Sequence, residues 1–172
     1  MKSFKQFIAE VTEARSGALG RAYIVGPNGK WFHCNARTHS DWVEKNYKKI
    51  GVTSRLASYN PKKPETNYNI TVEDAIWHGA VRIVVAHGVV EMMCKESALT
   101  PKVRKACADF YEKVAYGHKV WIYVAADDEG GDDGEDGRLL HNFPDADDAM
   151  QFFERGKVVQ RSKIGSTMAQ FR

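Results

Sequence analysis

The chain has 172 residues, 43% of them hydrophobic and 11% aromatic, which is enough for one self-sufficient core and too apolar for a disordered chain. No apolar run approaches the roughly 20 residues that span a bilayer, and the N-terminal apolar portion is too short for a secretory signal and lacks a small-residue cleavage site, so no membrane association is expected. The formal net charge of +3 hides an asymmetry, because residues 1–67 hold twelve Lys/Arg against five Asp/Glu and the remainder is net acidic.

The first residues read Met1-Lys-Ser-Phe-Lys-Gln-Phe-Ile-Ala-Glu10. Phe4, Phe7 and Ile8 fall at i, i+3 and i+4, one apolar stripe of a helix, with Lys2, Lys5 and Gln6 off that stripe. The spacing predicts a leader helix within residues 1–14. This segment resembles the capsid targeting sequence of internal head proteins in T-even and related tailed bacteriophages, a leader of the kind Met-Lys-Thr-(Tyr/Phe)-x-x-Phe-Ile-Ala-Glu. The resemblance stops at residue 14. It implies that Phe4, Phe7 and Ile8 dock on the scaffold core of the prohead while Lys2 and Lys5 meet its acidic surface. It also implies cleavage by the prohead protease, which cuts after Glu in a (Leu/Ile)-x-Glu motif. Here Ile8 and Glu10 supply the motif and Val11 becomes the new N-terminus. A weaker copy of the spacing follows at Val11, Thr12 and Glu13.

Residues 15–20 contain Gly17 and Gly20 and read as a linker open to proteolysis. A single α+β domain is expected over residues 21–157. It begins with two β-rich runs, 21–25 and 30–34, around Gly26-Pro-Asn-Gly29. Pro27 suits the first corner of a type I turn and Gly29 the positive φ that follows. Ser40 is a candidate N-cap for a helix over 41–50, with Trp42, Val43, Tyr47 and Ile50 on its apolar face and Gly51 ending it. Residues 52–70 are polar and Pro-rich and read as a long loop.

Thr71 and Asp74 have the residue types of a capping box for a short helix through His78. The runs 81–87 and 89–93 predict a second hairpin pivoting near Gly88. Thr100 then caps a helix with Pro101 at its first position, running to about residue 116, with Val103, Ala106, Cys107, Phe110 and Val114 inward. Strands follow at 119–124 and 138–141, and a helix at 144–154 carries acids in its first turn. The order β-β-α-α-β-β-α-β-β-α predicts an α+β fold, a small mostly antiparallel sheet built from hairpins with three or four packed helices.

Two charged segments stand out. Residues 127–136 form an acidic loop with seven acids and no base, and residues 158–172 form a basic C-terminal segment. Lys157, Arg161, Lys163 and Arg172 are the candidate contacts to nucleic-acid phosphate, although short basic tails are more often simply solvated. Laid on a calcium-loop template from Asp132, the acidic loop has Asp136 and Gly137 in place but Gly134 and Phe143 where acidic ligands belong. No metal is therefore expected there, and self-repelling charge in solvent is the favoured reading.

Cys34, Cys94 and Cys107 are too widely spaced for a zinc knuckle or redox pair and read as reduced thiols. His33, Cys34 and His39 are close in sequence, but His33 and Cys34 point to opposite faces of a strand. A Cys34–His87 nucleophile pair has no supporting glycine elbow, and no cofactor is expected, since no phosphate-cradling glycine motif occurs. The mixed stretch Trp31, Phe32, Arg37, His39, Trp42, Lys45, Tyr47, Lys48 and Lys49 resembles a nucleic-acid surface in composition. The favoured reading splits it into core aromatics and solvated lysines.

With no catalytic signature, the resemblance to phage internal head proteins sets the functional expectation. The chain is expected to be a virion protein packaged inside the capsid, with packaged DNA and, after ejection into the host cytoplasm, a host protein as partners. The alternative is a minor structural protein of the phage head or neck.

Overall fold

The computed structural model describes residues 20–52, 70–125 and 138–158. The expected leader and linker up to residue 19, the expected long loop over 53–69, the acidic loop and the chain from residue 159 onward lie outside them. In chain order the elements are β1 (Arg21–Val25), β2 (Trp31–His33), α1 (His39–Asn46), α2 (Val72–Trp77), β3 (Val81–Ala86), β4 (Val89–Cys94), α3 (Pro101–Phe110), β5 (Lys119–Val124), β6 (Arg138–Phe143) and α4 (Ala146–Arg155). The strands form one six-stranded sheet in the order β2-β1-β3-β4-β5-β6. The α+β class and the element order match the expectation from sequence. The sheet is mixed, however, because β4 and β5 run parallel while the other neighbours are antiparallel. The reason lies in α3: a parallel pair needs a crossover, and this helix carries the chain back to the start of the sheet.

Local chemistry explains most boundaries. The Gly29 amide donates to the Gly26 carbonyl at 2.9 Å and Gly29 has φ +80, so Gly26 to Gly29 close the β1–β2 hairpin as a turn of the expected kind. The β3–β4 hairpin turns on His87 and Gly88, both at positive φ, the geometry that matches strand twist in a two-residue connection. Thr71 accepts from the Asp74 amide while the Asp74 carboxylate accepts from the Thr71 amide, a complete capping box. Thr100 caps α3 over Pro101, and Asp145 caps α4 by accepting from the Asp147 amide at 2.8 Å.

The helix expected over 41–50 is corrected at both ends. Its N-cap is Thr38, whose hydroxyl accepts from the Asp41 amide at 3.1 Å. Ser40 is instead turned outward, accepting from the Val72 amide of α2 at 3.0 Å. The helix ends at Asn46, and residues 47–51 form a turn that delivers Ile50 into the core. The helix expected to reach residue 116 is α-helical only to Phe110 and widens into a π turn over Tyr111–Ala115. The wider turn buries Tyr111 against Phe153 and lets its hydroxyl donate to the His118 carbonyl at 2.6 Å. Val114, expected inward, is only partly buried there.

Side-chain alternation gives the sheet two unlike faces. Tyr23, Val25, Ile83, Val85, Val90, Met92, Val120 and Ile122 pack with Val103, Cys107 and Phe110 of α3 and Phe152 and Phe153 of α4. The opposite face buries Ile24 and Cys34 against Trp42 and Val43 of α1 and Ala75 and Ile76 of α2. Arg104 ties α3 to α4, donating to the carbonyls of Phe152 and Phe153 at 3.4 Å in the last turn of α4, where the Phe152 carbonyl also accepts from the Gly156 amide at 2.7 Å.

The β1–β2 turn is seated on the turn after α1: Asn28 donates through Nδ2 to the Lys49 carbonyl at 2.8 Å. A Cβ on Gly26 would fall on the Ile50 carbonyl oxygen and within 2.6 Å of its Cα. Gly26→Ala therefore lowers the unfolding free energy by about 3 kcal/mol, the upper range for overpacking, because backbone rather than a flexible side chain must move. Urea denaturation of the variant beside the parent checks this.

Candidate functional site

On the second face of the sheet α1 packs on β1 and α2 on β3 and β4, and beyond them the strands are only partly covered. A groove of about 830 Å³ opens at this edge. Its floor is Ala22 of β1 with Arg82 and Val84 of β3, and its walls are residues 35–40 and the start of α2 at Val72 and Glu73. A smaller hollow of about 300 Å³ shares Arg82 and Val84 and continues over Glu91, Met93 and Tyr123. The register explains the continuity. Ile24, Arg82, Met93 and Tyr123 lie side by side across β1, β3, β4 and β5, all on this face. Arg37, Arg82 and Glu73 line the larger hollow, while the Arg21 guanidinium lies 5.9 Å from the Tyr23 ring on the other face.

His39 stands at the foot of this groove with 7% of its surface exposed. Its Nε2 is 3.2 Å from the Tyr23 carbonyl and 3.1 Å from the Ile83 carbonyl. Both neighbours are acceptors, so Nε2 holds the ring proton and donates. Burial, reinforced by the Arg82 charge, pushes the imidazole pKa down to about 4. The ring is therefore neutral at physiological pH and pins the start of α1 to two strands.

The other residues singled out in the sequence are dispersed. His33 lies against Tyr23 on the first face, with ring centroids 4.9 Å apart, and Cys34 is buried on the second, as strand alternation requires. Among the described residues no three His, Cys, Asp or Glu side chains gather as metal ligands. Burial pushes the Cys34 thiol up to about 12, which leaves almost no thiolate near neutral pH. His87, its imagined partner, sits exposed in the β3–β4 turn. Cys94 and Cys107 are core residues, Cys94 with its thiol likewise raised to about 12.

The mixed aromatic and basic stretch divides as expected. Phe32 and Trp42 stack in the second core at 5.5 Å, Tyr47 packs against it, and Trp31 donates to Asp109 of α3 at 2.9 Å. Lys45, Lys48 and Lys49 are exposed. Lys157 is exposed just beyond α4. Arg161, Lys163 and Arg172, and the leader residues Lys2, Phe4, Lys5, Phe7, Ile8, Glu10 and Val11, lie outside the described residues.

Sequence reasoning did not single out Arg82. The available signal was one charged residue inside the otherwise apolar run 81–86, and what that residue faces depends on the helices that cover the strand. No helix among the described residues is long and apolar enough to cross a membrane. No protein-family model, curated protein or solved structure matches the chain.

The His39 arrangement has a pH signature. Below about pH 6.5 the unfolded chain binds a proton at this ring that the folded chain refuses until about pH 4. The stabilisation is thus fully present above the unfolded value and is lost as pH falls through the window between the two, by roughly 3 kcal/mol in all. His39→Gln keeps a donor for the two carbonyls and lacks this pH-dependent loss. Urea titrations of both proteins at about pH 7 and about pH 4.5 measure the difference.

Proposed function

We propose that this chain is a phage virion protein carried into the capsid by its N-terminal targeting sequence and processed by the prohead protease after Glu10. The observation that carries the reading is the contiguous motif Met1 to Glu10, in which an apolar stripe at helical spacing ends at an Ile-Ala-Glu cut site. The position of the cut is compatible with a stable product. The first described strand begins at Arg21, so cleavage at the Glu10–Val11 bond removes nothing from the described sheet or either core. It removes Lys2, Lys5 and Glu10 and takes the formal net charge from +3 to +2.

In this reading the scaffold core and the prohead protease are the assembly partners. The mature protein, beginning at Val11, shares the capsid interior with packaged DNA and then enters the host cytoplasm to meet a host protein. The basic residues Lys157, Arg161, Lys163 and Arg172 are its contacts to DNA phosphate.

Intact mass of the protein recovered from purified virions tests the proposal. The expected species begins at Val11. A full-length species in virions would instead favour a minor structural protein of the head or neck, and absence from virions would overturn packaging altogether. Phe7→Asp places a charge in the docking stripe. Loss of about 2 kcal/mol of apolar burial lowers the number of copies packaged by about thirtyfold, as quantitative mass spectrometry of variant virions would read. Unchanged packaging would exclude docking through this stripe.

A further inference from the structure

Beyond the reach of α1 and α2, the second face of the sheet carries apolar side chains that neither core takes up. Val84, Val89, Trp121 and Tyr123 stand on this face by strand alternation, are only partly buried, and belong to neither cluster. Leu139, beside Tyr123 on β6, is 47% exposed. Aromatic and branched residues grouped in the open on a sheet face mark a surface that meets another molecule. β4 and β5 are interior strands with neighbours on both sides, so such a molecule meets side chains here and not free backbone edges.

The centre of this surface is a block of four residues whose register the parallel pair fixes. Val89 lies beside Lys119, and Glu91 lies beside Trp121. The block measures about 4.8 Å across the strands and about 6.6 Å along them, one strand spacing by two residues. One diagonal, Val89 to Trp121, is apolar. The other holds opposite charges, Glu91 and Lys119, both exposed and neither in an ion pair among the described residues. A block of this kind is its own complement. Turned over about a twofold axis along the apolar diagonal, it sets Trp121 against the partner's Trp121 and Val89 against the partner's Val89. Each Glu91 then meets a Lys119 across the interface. The axis makes about 45° with the strands, so the two sheets cross at about a right angle, one of the two ways in which sheets pack face to face. The helices cover Ile24 and Met93, one row further along the strands, and leave the block open.

We propose that the chain associates with a second copy of itself through this face, with Trp121 at the twofold axis and reciprocal Glu91–Lys119 ion pairs on either side. Charge complementarity selects this occupant. A purely acidic or purely basic partner satisfies one of the two charges and opposes the other, whereas a second copy satisfies both. The interface is independent of how the protein is packaged.

Sedimentation equilibrium of the full chain from about 10 μM to about 1 mM, the range of weak self-association, tests this. The expected mass rises with concentration from that of a monomer toward that of a dimer. Glu91→Lys and Lys119→Glu each turn both ion pairs into repulsions, and each raises the dissociation constant by about thirtyfold or more. Both positions are exposed, so neither variant disturbs a core. An equimolar mixture of the two variants regains the association of the parent, because every pair across the mixed interface again joins opposite charges. A parent chain that stays monomeric throughout would overturn the proposal whatever the variants do. So would a charge reversal that leaves association unchanged, or a mixture that associates no better than either variant alone.

Discussion

One continuous apolar face, made by alternate residues of β1, β3, β4 and β5, sets the position of almost everything else. Tyr23, Ile83, Met92 and Ile122 stand in one row across the four strands, with Val25 and Val81 paired beside it. Such a row is stable only under a cover, and α3 and α4 supply it with Phe110, Phe152 and Phe153. Because α3 must both cover this face and return the chain to the same sheet edge, β5 enters parallel to β4. The mixed character of the sheet is thus a consequence of burial rather than of any preference within β5 itself.

The opposite face is finished differently. Two short helices cover parts of β1, β3 and β4, and their seating depends on polar links: His39 donating to Tyr23 and Ile83, and Ser40 accepting from the start of α2. Neither α1 nor α2 is long enough to cover all of the strands. The groove that results exposes a strip of mixed chemistry on rigid strands, with Arg82 at its centre. The neutral, buried imidazole beside it adds no competing charge.

Much of this architecture was legible in the residues. Turn and cap chemistry acts within a few positions, so Pro27 and Gly29, Thr71 and Asp74, and Thr100 and Pro101 announced their elements directly. Apolar periodicity likewise identified Val103, Ala106, Cys107 and Phe110 as one inward face. Where the reading failed, a distant partner had intervened. Ser40 has the chemistry of an N-cap, but α2 recruits its hydroxyl and Thr38 takes the cap. Tyr111 leaves the α-helical path because the Phe153 ring and the His118 carbonyl reward a wider turn.

The candidate sites divide along the same line. The proposed targeting motif is a linear signal, carried by spacing and residue type in consecutive positions, and the sequence by itself determined the element order and the α+β class. The groove is not linear: Arg82, Ser40 and Tyr123 come from separate elements. Only the tertiary structure decided that Arg82 faces the partly covered side with its Nε unpaired, that His39 is buried and neutral, and that Cys34 is an inert core thiol. Burial and pairing are properties of what the rest of the chain brings alongside a residue, and no local pattern encodes them.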